Sequence, residues 1–249
     1  MASDRIVSLA PSATATLDAL GVADRIVGVT AHCTLDRPTV GGWLNPDFDK
    51  LDTLEPNLIA TSDGLQRELS EEFRERGYRV HHHEPSRLDN VFDGFRSLAA
   101  AAGVDDAGER LVADCRERLA VVNDRVDAAR RRTPDEPRPV VYCEEWSDPP
   151  MAAGNWVPDA IVAAGGRYPF VEPGERSAEV DRETVEAVDP DHAVLHICGT
   201  GDQVRPTRLT ERDWALSAAV HVVDDSLLNQ PSPRLIDGIE LLSERLYPE

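Results

Sequence analysis

The residues that could do chemistry are seven histidines, four cysteines, four tryptophans and a large set of carboxylates. His32 and Cys33 are neighbours, and either could coordinate a metal ion or the metal of a bound complex. Adjacent side chains diverge on an extended loop, so only one of the pair is expected to reach a given ligand. The run His81-His82-His83 invites a metal reading too, but strand residues alternate faces and one ion cannot easily use all three. Cys33, Cys115, Cys143 and Cys198 are widely spaced with no CxxC, unlike a disulfide scaffold. A set of His32, Cys33, Glu145 and Cys198 would suit zinc or iron if the fold brought it together. Glu144 and Glu145 are adjacent rather than facing, so their spacing makes no acid–base pair. There is no GxSxG, no P-loop and no GxGxxG in a strand–helix context. No enzyme is expected. Trp43 follows two glycines and could form a flat wall for a ring system. Trp146 and Trp156 flank Pro149-Pro150, and one is expected to face a ligand while the other packs.

These residues must be placed by secondary structure. The apolar residues Val104, Ala107, Leu111, Cys115, Leu119, Val122, Val126 and Ala129 step by three or four, the period of one helix face. Asp105 and Asp106 suit the start of that helix, and Arg130 to Arg132 its end. Thr133-Pro134 stops it. The chain on either side reads as alternating strands and helices. The expected fold is therefore α/β: two Rossmann-like lobes with mostly parallel sheets, bridged by one long α-helix. The lobes span 1–103 and 134–249, and the linking helix 104–133.

Short strands are expected at Arg5–Leu9, Arg25–Val29, Asn57–Thr61, Tyr78–His82, Val140–Cys143, Ala193–Ile197 and Val220–Val223. Glu144–Gly154 reads as a loop, and Arg208–Trp214 as a helix. The second lobe is expected to repeat the architecture of the first, with no sequence repeat between them. Ligands of parallel α/β sheets sit beyond the carboxyl ends of the strands. The loops there carry Ser12, His32, Cys33, Asp63, Glu145, Trp146, Cys198 and the stretch from Ser226 to Asn229. Two facing lobes would put both sets of loops on one cleft.

The net charge is −20, from 46 acidic and 26 basic residues, and Lys50 is the only lysine. Such a carboxylate surface keeps proteins soluble in a high-salt proteome, as in a halophilic archaeon. It also leaves no basic face for nucleic acid. No stretch approaches the apolar length of a membrane span. Arg5-Ile6-Val7-Ser8-Leu9 reads as a buried strand, leaving no room for a leader ahead of it. As written, the chain is expected to be cytoplasmic; a mature chain with its leader removed would be extracytoplasmic.

Arg5-Ile-Val-Ser-Leu-Ala-Pro-Ser-Ala-Thr, Asp24-Arg-Ile-Val-Gly-Val-Thr and Leu51-Asp-Thr-Leu-Glu-Pro-Asn-Leu-Ile resemble the first lobe of class III substrate-binding proteins. These are the helical-backbone receptors of cobalamin and iron-complex ABC transporters. Asp148-Pro-Pro-Met-Ala-Ala-Gly, Ala164-Gly-Gly and Pro231-Ser-Pro-Arg-Leu resemble the second lobe, most nearly its cobalamin-binding branch. Glu145-Trp-Ser-Asp-Pro-Pro, Gly154-Asn-Trp-Val-Pro-Asp and Cys198-Gly resemble a subgroup of that branch lacking signal peptides.

The resemblance implies a monomeric receptor with no cofactor of its own. Its ligand would be cobalamin or another corrinoid, a small-molecule metal complex, and its partner an ABC permease. It implies ligand contacts from Ser12, His32, Cys33, Trp43, Asp63, Glu145, Trp146, Met151, Cys198, Leu228 and Asn229. The permease-docking positions match Asp49 and Asn229, of which only Asp49 keeps a charge. Leu227 or Leu228 stands where the family has an aromatic, and His32 where it has a tyrosine. The alternatives are an iron-complex or free-metal receptor, and a metal-dependent or chelatase-like enzyme using His32 and Glu145.

Overall fold

The computed structural model describes residues 5–248. The chain forms two compact units: one runs to Pro85 and resumes over Asp89–Asp114, the other comprises Ser86–Leu88 and everything from Cys115 onward.

The first unit contains β1 (Ile6–Ser8), α1 (Pro11–Ala19), β2 (Ile26–Val29), α2 (Phe48–Leu54), β3 (Leu58–Ser62), α3 (Arg67–Glu75), β4 (Val80–His83) and α4 (Leu88–Ala101). Its four strands are all parallel, in the order β2-β1-β3-β4. The central strands β1 and β3 are buried on both faces, which is why they read as unbroken apolar or small-residue runs. Their side chains alternate between two cores. Ile6, Leu58 and Ala60 pack with Leu17 of α1 and Leu98 of α4. Val7, Leu9 and Ile59 pack with Leu51 of α2 and Phe73 of α3. Helices therefore cover both faces, the arrangement a parallel sheet requires.

The long helix α5 (Asp105–Arg132) is continuous over 28 residues, about 42 Å at ~1.5 Å per residue. Ala107 and Leu111, near its start, pack on the first unit's core. Cys115, Val122, Val126 and Ala129 are buried further along, and Val112 joins them outside the expected stripe. Arg118 pairs with Asp237 and Glu240, and Arg125 with Glu244, which ties this half of α5 to α9 (Arg234–Leu246).

The second unit contains β5 (Val141–Ser147), β6 (Pro150–Ala152), α6 (Val157–Ala163), β7 (Ala178–Glu179), α7 (Arg182–Val188), β8 (His192–Leu195), α8 (Thr207–Thr210), β9 (Ala219–Val222) and α9. Its sheet has five strands in the order β7-β6-β5-β8-β9. β5, β8 and β9 are parallel, but β6 and β7 add on in antiparallel fashion. This corrects the expected loop at Glu144–Gly154, which is a hairpin pairing Trp146 with Met151 across a cis Asp148–Pro149 bond. The signal that hid it is proline, since Pro149 and Pro150 read as loop. Pro150 begins its strand, a position where a missing N–H is tolerated. The helix expected over Arg208–Trp214 is also corrected: only Thr207–Thr210 is helical.

A short repeat links the two units. Asp47 caps α2 by accepting from the Lys50 N–H at 3.2 Å, and Asp181 caps α7 by accepting from the Thr184 N–H at 2.7 Å. Leu51 and Val185 are buried at matching positions. Each helix ends in an acidic residue with positive φ, Glu55 at 43° and Asp189 at 50°, followed by a proline. The next residue then binds back to the strand before: the Asn57 N–H donates to the Arg5 carbonyl at 2.8 Å, and the Asp191 N–H to the Val140 carbonyl at 2.9 Å. The pattern D-x-x-x-(L/V)-x-x-(L/V)-(E/D)-P is thus present twice, against the expectation of no sequence repeat.

Candidate functional site

The strand-end loops of the first unit are held by one buried amide. Gln66 lies in the turn after β3 and is fully buried. Its side-chain carbonyl accepts from the Ser62 N–H at 2.8 Å. Its amide nitrogen donates to the Leu9 carbonyl at 3.0 Å and the Trp43 carbonyl at 2.7 Å. One side chain therefore joins the ends of β1 and β3 to the Gly41–Trp43 loop. Trp43 itself is half-buried, with exposed Leu44 next to it in sequence and exposed Leu65 beside Gln66. Asp63 takes φ +81°, a backbone region that favours glycine, and its carboxylate caps the Leu65 N–H at 2.8 Å.

His32 is exposed, whereas Cys33 turns inward. The Cys33 sulfur accepts from the Thr14 hydroxyl at 3.2 Å, lies 3.3 Å from the Thr30 hydroxyl, and the side chain packs on the core. The two diverge, as expected of adjacent residues, so they do not face one ion together. No group of three or more His, Cys, Asp or Glu that could hold a metal occurs among the described residues. Ser12 is buried in the first turn of α1, and Asp49 is exposed in the first turn of α2.

The histidine run is divided by strand alternation. His81 bonds Ser97 at 2.9 Å and His83 bonds the Asn90 carbonyl at 2.6 Å, both on α4. His82 points the other way, to the Thr61 hydroxyl at 2.9 Å and the Glu84 carboxylate at 2.8 Å. Burial, reinforced by His83 and His82, pushes the His81 pKa down to about 4. The Arg67 guanidinium, helped by His82, holds Glu84 at about 2.

In the second unit, Glu145 is half-buried and Met151 partly covered, while Trp146 is exposed and donates its indole N–H to the Asp148 carbonyl at 2.9 Å. Trp156 packs inside and donates to the Leu228 carbonyl at 2.7 Å. Leu228 is corrected as a ligand contact. Its side chain is fully buried, so it serves the core and not an open surface. Both amide atoms of Asn229 are engaged by His196: the carbonyl oxygen by the ring Nδ1, and the nitrogen by the His196 carbonyl at 2.9 Å. Cys198 is exposed as a residue, yet partial desolvation of its sulfur raises the thiol pKa, with Asp225 and Glu145 adding to the effect.

Two buried polar groups escaped the sequence reading. Glu144 is fully buried and takes both guanidinium nitrogens of Arg212, at 2.7 and 2.8 Å. It also accepts from Tyr142 at 2.8 Å and Ser147 at 2.7 Å. Burial and the Glu144 charge drive the Tyr142 pKa up. Burial works against the charge on Arg212, but the bonds to Glu144 outweigh it and raise its pKa. His196 is fully buried with its Nε2 unpartnered, and burial lowers its pKa to about 4. Neither could be found from spacing. Glu144 lies in a stretch that reads as loop, and its partner is distant in sequence.

A family model described as periplasmic binding protein matches residues 6–221. The chain belongs to the periplasmic binding protein family. Relatives of this binding protein agree over nearly its whole length. A vitamin B12-binding protein of Vibrio cholerae is 25% identical, covering 96% of this chain and 87% of the relative. A cobalamin-binding protein of Halobacterium salinarum is 24% identical, covering 98% of this chain and 69% of the relative. Among solved structures, a periplasmic haem-binding protein from Roseiflexus superposes with a TM-score of 0.81 at 25% identity, covering 98% of each chain. These periplasmic binding proteins bind ligands and are not enzymes. No helix among the described residues of the present one is long and apolar enough to cross a membrane.

Proposed function

We propose that this periplasmic binding protein carries a corrinoid, or a related tetrapyrrole metal complex, as the receptor component of an ABC importer. The observation that carries the reading is the exposed apolar group at the first unit's strand ends. Leu44, next to Trp43, is 51% exposed, and Leu65 is 61% exposed next to Gln66, whose amide bonds the Trp43 carbonyl. Exposed apolar side chains gathered at ligand-binding loops mark a surface that is covered in use. A flat ring system stacked on Trp43 would cover it. The names of the relatives, vitamin B12, cobalamin and haem, are all tetrapyrrole-type metal complexes. The other contacts in the first unit come from Ser12, His32 and Asp63. His32, exposed and free of the core, is the group able to reach the ligand's metal.

The partner is an ABC permease, met through Asp49 on the surface of α2, and the protein works as a monomer outside the cytoplasm. Asn229 is tied to His196 and offers no charge for docking.

The test is titration in high salt with cobalamin, cobinamide, haem and divalent metals, followed by tryptophan fluorescence and calorimetry. Quenching by a tetrapyrrole supports the reading. Trp43→Ala is expected to weaken that binding by roughly ten- to a hundredfold, from a stacking contribution of ~1–3 kcal/mol. Absence of any response up to roughly 100 μM of every tetrapyrrole sinks it.

A further inference from the structure

Strand alternation leaves His81 and His83 on one face of β4, the face turned to α4. Each ring is oriented by its Nε2. His83 Nε2 donates to the Asn90 carbonyl at 2.6 Å, because a carbonyl can only accept. The Ser97 hydroxyl gives its proton to the Gly94 carbonyl at 3.1 Å, so it accepts from His81 Nε2 at 2.9 Å. Both neutral rings therefore carry their proton on Nε2 and leave a lone pair on Nδ1. His81 Nδ1 is buried and has no hydrogen-bond partner among the described residues. A buried acceptor left in that state costs about 1–3 kcal/mol, which a group bound there would recover.

Gly94 belongs to the same arrangement. It interrupts the middle of α4, where glycine costs roughly 0.5–1 kcal/mol against alanine. A Cβ there would stand 2.5 Å from His83 Cδ2 and 2.9 Å from its Nε2. The missing side chain lets the His83 ring lie against the helix and keep its bond to Asn90. The centres of the His81 and His83 rings are 6.5 Å apart, with 31° between their planes. That is near the widest spacing at which two imidazoles share one ion at metal–nitrogen distances of ~2.0–2.1 Å, so the rings need close only slightly. Burial holds the His81 pKa at about 4, which keeps the ring neutral and its lone pair available at neutral pH. β4 is an edge strand and both rings are only partly covered, which admits water to further coordination positions.

The geometry points to a metal site of two imidazoles: His81 and His83 bind one divalent late-transition ion through their Nδ1 atoms, with water in the remaining positions. Metal-ligating histidines donate their other ring N–H to a fixed oxygen, which sets the tautomer and aims the lone pair. The Ser97 hydroxyl and the Asn90 carbonyl supply those oxygens. No third His, Cys, Asp or Glu completes the set among the described residues, so affinity is moderate, on the order of micromolar. Imidazole donors bind copper(II) more tightly than nickel(II) or zinc(II). His82 faces away, to Thr61 and Glu84, and takes no part. The site lies wholly within the first unit and does not depend on the tetrapyrrole reading.

The experiment follows the histidine ring-nitrogen signals of the whole protein by NMR, assigned through bonds to the backbone. It is run at neutral pH in molar sodium chloride, with excess magnesium to occupy surface carboxylates. Before metal is added, His81 and His83 should both show the Nε2–H tautomer. Zinc(II) is expected to shift both Nδ1 signals together and saturably, at one ion per chain. A shift in neither ring, or in one alone, overturns the proposal. Zinc calorimetry then compares H81Q, H83Q and H82Q with wild type. The first two are expected to lose about tenfold or more in affinity, while H82Q keeps it. Equal affinity in all four proteins, or an equal loss in H82Q, overturns the site. Should H81Q or H83Q fail to fold by circular dichroism, the wild-type NMR titration decides by itself.

Discussion

The side-chain amide of Gln66 donates to the main-chain carbonyl of Trp43 at 2.7 Å, and this bond sets the position of the tryptophan loop. Gln66→Leu keeps the volume but strands the Ser62 N–H and the Leu9 and Trp43 carbonyls. A cost of ~1–3 kcal/mol is expected from the unsatisfied buried groups, read as a lower denaturant midpoint. Ligand affinity should fall as well, because the Trp43 loop loses its tether. An unchanged midpoint would show that water replaces the amide.

Arg212 and Glu144 predict an asymmetry between buried and surface pairs. Arg212→Ala leaves a fully buried carboxylate uncompensated and is expected to cost ~3–5 kcal/mol. Arg118→Ala removes exposed pairs to Asp237 and Glu240 and should cost no more than ~1 kcal/mol. Urea unfolding of the two variants side by side measures the difference, and similar losses would count against the buried clamp.

His196 predicts a pH dependence of stability. Its folded pKa of about 4 lies below the ordinary 6.5, so the unfolded chain binds the proton more readily. Stability from this group is fully present above pH ~6.5 and is lost as pH falls toward ~4, on the order of 3 kcal/mol at the limit. His81, lowered for the same reason, acts in the same window and direction. His196→Gln cannot titrate, so its unfolding free energy should fall less between pH 7 and pH 4.5 than that of wild type. Parallel curves would exclude His196 as a source.

The carboxylate excess predicts a dependence on salt. With net charge −20, self-repulsion opposes the compact state in dilute buffer and is screened as ions are added. The melting temperature is expected to climb steeply from low to molar salt. A flat profile would remove the high-salt interpretation of the composition.

The sequence by itself determined whatever depends on local period and punctuation. The three- and four-residue steps from Ala107 to Ala129 sufficed for the long helix, because one face of a helix must be apolar wherever it packs. The alternation of short buried strands with capped helices sufficed for two α/β units, while the family was legible only through the resemblance of stretches such as Arg5–Thr14 and Pro231–Leu235. The divergence of His32 from Cys33, and of His82 from its neighbours, followed from the geometry of adjacent residues. Tertiary structure alone decided the rest. Leu228 is local in sequence but buried by packing that no spacing records. The hairpin at Trp146–Met151 was masked by prolines that an antiparallel edge tolerates. Glu144 found Arg212, and Gln66 found Trp43, across long stretches of chain. Such pairings are settled by which loops the sheet brings together, because a buried polar group binds whatever partner the folded chain delivers to it.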